Sequence, residues 1–175
     1  TNHMKKTIIA LASLTLILTA FKTNTMVTEK KKSISSSEQM AERVVAALQQ
    51  SSSKDYAALF PSLSDFKQIM KESSEIYGSH LNEAQREFSG NYESKLIPAV
   101  KHSFDALLKE GREKGIDWSS VRYVGIELGV QPQQRFSPVP VNIVISSQGI
   151  EHRIHIEKAL VINGQWKVSQ FVKFI

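Results

Sequence analysis

Apolar positions along this chain change their period once, near Trp118. Before that point they recur every three or four residues. Met40, Val44, Val45 and Leu48 follow a Ser35-x-x-Glu38 capping pattern and predict a first helix ending at Gln49-Gln50. A short helical turn over Asp55–Phe60 meets Pro61. Ser62 or Ser64 then caps a helix carrying Phe66, Ile69 and Met70, which Gly78 closes. The longest stripe runs through Leu81, Ala84, Phe88, Tyr92, Leu96, Val100, Phe104 and Leu108. Pro98 removes a backbone donor within it, so a kink or break is expected near Ile97, and Gly111 and Gly115 end the helical half.

After Trp118 the pattern alternates. Val124, Ile126, Leu128 and Val130 share one parity, as do Val139, Val141, Ile143 and Ile145. Ile154, Ile156, Leu160 and Ile162 follow, then Trp166, Val168, Val172 and Phe174. Four strands with one apolar face and short turns predict an antiparallel meander. A two-residue loop at Gln148-Gly149 pairs Ser147 with Ile150, Ile145 with His152, Ile143 with Ile154 and Val141 with Ile156, so the apolar faces coincide. At Asn163-Gly164 a two-residue loop would place Leu160 opposite Lys167. A three-residue loop with Gly164 as a bulge instead sets Val161 opposite Gln165, Leu160 opposite Trp166 and Ile154 opposite Val172, and is the expected arrangement. The other face carries Glu151, Arg153, His155, Glu157, Lys167, Ser169 and Lys173 and is wet apart from Phe171. The fold class expected is α+β, with N-terminal helices packed on one face of a curved four-stranded antiparallel sheet.

The net charge of +5 suggests nucleic acid until it is located. From Ser33 onward sixteen Lys and Arg balance sixteen Asp and Glu, so the excess lies in the N-terminal part and no nucleic-acid partner is expected. That part begins with Lys5-Lys6 and an apolar run over Thr7–Phe21, shorter than the roughly 20 residues that span a bilayer. Residues 1–25 are therefore expected to be a signal peptide or N-terminal anchor, with Thr1-Asn2-His3 preceding the expected start at Met4. Residues 26–37 are expected to form a Lys/Ser-rich tether and 38–175 a single domain. Export to the periplasm or cell envelope follows, with membrane contact only through the leader. The absence of cysteine excludes disulfides, thiol catalysis and cysteine-bound metals.

Helices followed by a curved meander whose last hairpin reads IEKALVINGQWKVSQF resemble the nuclear transport factor two-like superfamily, also called ketosteroid-isomerase-like, over roughly residues 36–175. A cystatin-like arrangement is the alternative. The resemblance implies a cone-shaped domain whose concave sheet face and helices enclose a pocket.

On the expected inner face four positions break the apolar pattern: Arg122, His152, Lys158 and Gln170. They are the candidate ligand-binding residues, with Lys158 and Gln170 as diagonal neighbours suited to an anionic or amphipathic small molecule. No catalytic residue is assigned, and no metal or cofactor is expected, because no motif for either occurs. His152 and His155 fall on opposite faces of one strand and do not form a metal pair. The leading expectation is a non-catalytic domain binding a small ligand or an envelope partner protein. One alternative is a small isomerase or dehydratase using His152 with a helix carboxylate such as Asp105. Another is a structural module that homodimerises through its sheet, with Phe171 as the apolar seed.

Overall fold

The structure, a computed structural model, describes residues 34–130 and 136–175. The expected leader and the tether up to residue 33 lie outside the described residues. From residue 34 the chain is already helical, so the folded part begins slightly before the expected boundary. Among the described residues six α-helices precede the sheet: α1 (Ile34–Gln49), α2 (Ser53–Ala57), α3 (Leu63–Glu72), α4 (Ser74–Tyr77), α5 (Leu81–Asn91) and α6 (Ile97–Glu113). Among the described residues no helix is long and apolar enough to cross a membrane.

The helix ends follow local chemistry. Ser62 caps α3 reciprocally with Asp65: the Asp65 N–H donates to Ser62 Oγ at 3.2 Å, and the Ser62 N–H donates to Asp65 Oδ2 at 2.8 Å. The break expected at Pro98 is a π-helical turn, Tyr92–Leu96, in which the Ile97 N–H reaches the Tyr92 carbonyl. Pro98 then sits in the first turn of α6, where its missing N–H has no helical partner to lose. At the other end of α6, Gly115 adopts φ +79°, its N–H bonding Arg112 O and that of Ile116 bonding Gly111 O. That pair of bonds closes the helix on a left-handed residue, a conformation glycine adopts without strain.

The sheet is built from β1 (Arg122–Leu128), β2 (Val139–Ser147), β3 (Ile150–Ile162), β4 (Gln165–Val168) and β5 (Val172–Phe174). All pairings are antiparallel in the order β1-β2-β3-β4, and β5 also pairs with β3. The expected fourth strand is thus interrupted, and β4 and β5 line successive lengths of β3. The class is α+β as expected, with helices first and a curled antiparallel sheet after them. One core joins α1, α2 and α6 to the inner sheet face, through Val44, Leu48, Tyr56, Phe104, Ile143, Ile154 and Trp166 among others.

The β2–β3 hairpin has the expected register, Ser147 opposite Ile150 through Val141 opposite Ile156. The β3–β4 hairpin does not. Ile162 pairs with Gln165, Val161 with Trp166 and Leu160 with Lys167, around a two-residue turn with Asn163 at φ 51° and Gly164 at φ 77°. Trp166 is buried on the core face as expected, but opposite Val161. Val172 faces Ile156, and Ile154 faces Phe174. The parity change sits inside β3: between Val139↔Ala159 and Val141↔Ile156 the strand carries one extra residue, opposite Pro140. Pro140 has no N–H to give the ladder there, and a bulge is where a sheet tolerates that loss. Beyond it Ala159 and Val161 face the core, while Leu160 and Ile162 turn to the other side. Both are nevertheless buried. The helix tied to that end is α3, through paired amide bonds between Gln68 and Asn163 at 3.0 and 2.8 Å.

A second irregularity lies in β1. Tyr123 pairs with Ile145 but Gly125 with Val144, leaving Val124 as an extra residue that is 50% exposed. Tyr123 and Ile126 pack on the core instead of the expected alternation from Val124. Phe171, between β4 and β5, also packs against the core and offers no outer-face seed for dimerisation.

Tyr56 is fully buried, and among the described residues its hydroxyl makes no hydrogen bond of good geometry, Ser103 and the Val172 backbone lying near it, while its ring lies 4.9 Å from that of Phe104. Burial pushes the phenol pKa well above its ordinary value, against smaller opposing contributions from Ser103 and the Val172 backbone. A raised folded pKa leaves this contribution intact below about pH 10 and removes it as pH rises further, because only the unfolded chain ionises easily. Tyr56→Phe should therefore flatten the loss of stability between about pH 9 and pH 11. Urea midpoints across that range check it; an unchanged slope would refute it.

Candidate functional site

The four positions expected to share a pocket do not converge. Arg122 precedes the β1 bulge and pairs with Ser146, which places it exposed on the outer face. The inward expectation for Arg122 fails because the extra residue at Val124 inverts parity along that strand. His152 faces the core side opposite Ile145 and is half-buried. Among the described residues no carboxylate bonds to it, and Asp105 is exposed on α6. Lys158 lies in the β3 bulge, six residues from His152, about 20 Å along an extended strand. Its carbonyl accepts from the Ser169 N–H at 2.9 Å and the Ser169 hydroxyl at 2.8 Å, which brings the Gln170 backbone near. No hydrogen bond joins the Lys158 and Gln170 side chains. Gln170 Oε1 is buried without a partner, in the break between β4 and β5.

A different set of residues forms a cleft of about 170 Å³. Gln39, Met40 and Arg43 of α1 make one wall, Ala58 and Leu59 after α2 another, and Gly164, Gln165, Trp166 and Lys167 the third. The walls are tied together by backbone: the Val168 N–H donates to the Leu59 carbonyl at 2.9 Å, stitching β4 to the end of α2. The Gln68–Asn163 amide pair fixes the turn from outside. Met40, Leu59 and Trp166 are buried and supply an apolar floor. Arg43 is exposed and Lys167 half-buried, and among the described residues no acidic one lines the cleft.

Trp166 carries the unusual feature. It is 7% exposed, and its indole N–H is buried without a hydrogen-bond partner. An orphaned buried donor costs roughly 1–3 kcal/mol, and buried tryptophans ordinarily find an acceptor. Less than 1 Å² of this donor meets solvent, so a ligand acceptor reaches it only with a small shift of the ring. Arg43 presents a planar fork of donors that matches an anionic oxygen ligand, whereas the Lys167 side chain, opposite Leu160, leaves β4 on the face away from Trp166.

Arg43, Trp166 and Lys167 were not among the sequence candidates. Arg43 lies on the polar side of α1, and Trp166 read as core. The cleft joins segments about 120 residues apart, and no local periodicity marks such a meeting. The one signal was a tryptophan, which has a donor to satisfy, directly after the Asn-Gly turn.

No family model matches this chain, and no curated protein or solved structure matches it significantly.

Proposed function

We propose that this is an exported, non-catalytic binding domain of the nuclear transport factor two-like kind, which takes a small carboxylate in the cleft between α1 and β4. Export rests on the charged start and apolar run of residues 5–21. The superfamily assignment rests on helices preceding a curled antiparallel sheet. The binding reading rests above all on Trp166, which lines the cleft beside Arg43 and whose buried indole N–H has no partner among the described residues.

Size narrows the ligand. An apolar cavity of about 150 Å³ takes a benzene ring, whereas pockets for drug-sized molecules begin at about 300 Å³. The cleft therefore suits one ring or a short acyl chain, with the carboxylate at Arg43 and the apolar part against Met40, Leu59 and Trp166.

Calorimetric titration and thermal shift with benzoate, hexanoate and acetate test this directly. Benzoate should bind most tightly, and Arg43→Ala should weaken it about tenfold or more, the worth of one charge-assisted hydrogen bond, while Lys167→Ala should change it little. Trp166→Phe separates site from core. It removes the orphan donor and leaves a small void, two changes of about 1 kcal/mol with opposite signs. Its melting point should stay near wild type while benzoate affinity falls. Benzoate affinity unchanged in Trp166→Phe, or no binding at millimolar concentrations, would reject the proposal.

A further inference from the structure

The outer face of the sheet carries a row of polar side chains that the cleft does not use. Glu127 pairs with Asn142, Asn142 with His155 and His155 with Lys173, so the four form one line across β1, β2, β3 and β5. Asn142 Nδ2 donates to Glu127 Oε2 at 3.2 Å. Arg153 donates from both Nε and Nη2 to Glu127 Oε1 at 3.3 Å. The bonds from Asn142 and Arg153 hold the Glu127 carboxyl below its ordinary range, so it is ionised at neutral pH.

An ionised carboxylate only accepts hydrogen bonds. The Asn142 amide must therefore turn its nitrogen to Glu127 and its oxygen to His155. That oxygen lies 2.6 Å from His155 Nδ1. An amide oxygen cannot donate, so the imidazole proton sits on Nδ1. In the neutral ring Nε2 is then a bare lone pair, and among the described residues no group bonds to it. The half-buried Asn142 and His155 hold this lone pair in a fixed direction, with the Lys173 ammonium on the neighbouring strand.

We propose that His155 Nε2 and Lys173 form a second binding site, on the outer sheet face, for a phosphate monoester. The two groups ask for different things of one ligand: Nε2 needs a donor and the ammonium needs a negative oxygen. A carboxylate at neutral pH has no proton to offer. A phosphate monoester, whose second pKa is about 6, keeps a P–O–H beside a charged oxygen in about a tenth of molecules at pH 7, where a carboxylate keeps almost none. The P–O–H donates to Nε2 while the charged oxygen accepts from Lys173. Where the proton transfers, the O–H bond breaks, an N–H bond forms at Nε2, and the phosphate dianion lies between imidazolium and ammonium. Neither residue lines the carboxylate cleft, so this site stands or falls separately from it.

The test is side-chain nitrogen NMR of the histidines in the full chain, in phosphate-free buffer at about pH 7. Without ligand, His155 should show the Nδ1–H tautomer, and Asn142→Leu should release it to a mixture. Inorganic phosphate and glycerol 3-phosphate should move His155 Nε2 saturably while acetate does not, with the other histidines as internal references. Vesicles carrying phosphatidic acid in phosphatidylcholine distinguish a lipid headgroup from a soluble ester. Lys173→Ala should weaken phosphate at least fivefold, and Arg43→Ala should leave it unchanged. An Nε2–H tautomer in the free protein would overturn the proposal. So would equal shifts at all histidines, no saturable shift, or a Lys173→Ala variant that titrates like wild type.

Discussion

Gly111→Ala should destabilise the fold by about 2–4 kcal/mol, although alanine is the better helix former by about 1 kcal/mol. Gly111 faces the Trp118 indole, which lies across the last turns of α6 with its N–H donated to the Leu108 carbonyl at 2.9 Å. A β-carbon at Gly111 would fall 2.9 Å from Trp118 Nε1, 2.6 Å from Cε2 and closer still to Cζ2. No rotamer change in a methyl group relieves that. Trp118 must move, and with it the Leu108 bond and the ring contact to Phe174 at 6.1 Å. Overpacking of a core costs about 1–3 kcal/mol and loss of a buried tryptophan about 3–5, so the clash outweighs the helical gain. Urea denaturation of Gly111→Ala measures the balance. A more stable variant would mean that Trp118 does not lie on this face of α6.

Trp166→Ala should cost about 3–5 kcal/mol, the range for large core truncations. The side chain is buried opposite Val161 and belongs to the core that joins α1, α2 and the sheet. Set beside Trp166→Phe, which should change stability little, the truncation separates the ring's packing from its donor. A loss below about 1 kcal/mol would mean that the β3–β4 end of the sheet is not closed by the helices.

The contrast between the two hairpins shows what the sequence makes legible. Between β2 and β3 no residue is inserted from Val141 to Ser147 or from Ile150 to Ile156, so one turn assignment determines every pairing. Between β3 and β4 the same rule gave the wrong turn. By parity Leu160 and Ile162 share the inner face with Ile154 and Ile156, which forces an extra residue into the Asn163-Gly164 loop. The extra residue lies instead at the Glu157-Lys158 step, and its cause, Pro140, is on the neighbouring strand. Leu160 and Ile162 also defeat the alternation because both faces of β3 are buried at that end, where apolar residues carry no parity signal. The Val124 bulge misplaced Arg122 for a similar reason: an apolar residue at a bulge looks like one facing the core. The helical half was more legible, since caps and prolines act on their own segment. The site was least so, because a cleft is a property of three distant segments meeting.

The Val124 bulge has a consequence for how copies of this chain meet one another. Among the described residues β1 pairs only with β2, so its far side offers backbone donors and acceptors that a strand from another molecule could join. The bulge breaks the even spacing of those groups and twists the strand, while Arg122 and Glu127 place charge along it. On the opposite border the last strand is split into four- and three-residue pieces, each too short to template a long ladder. The same interruptions that obscure the register therefore guard both borders of the sheet against runaway strand-to-strand assembly, which a perfectly regular meander of this composition would invite.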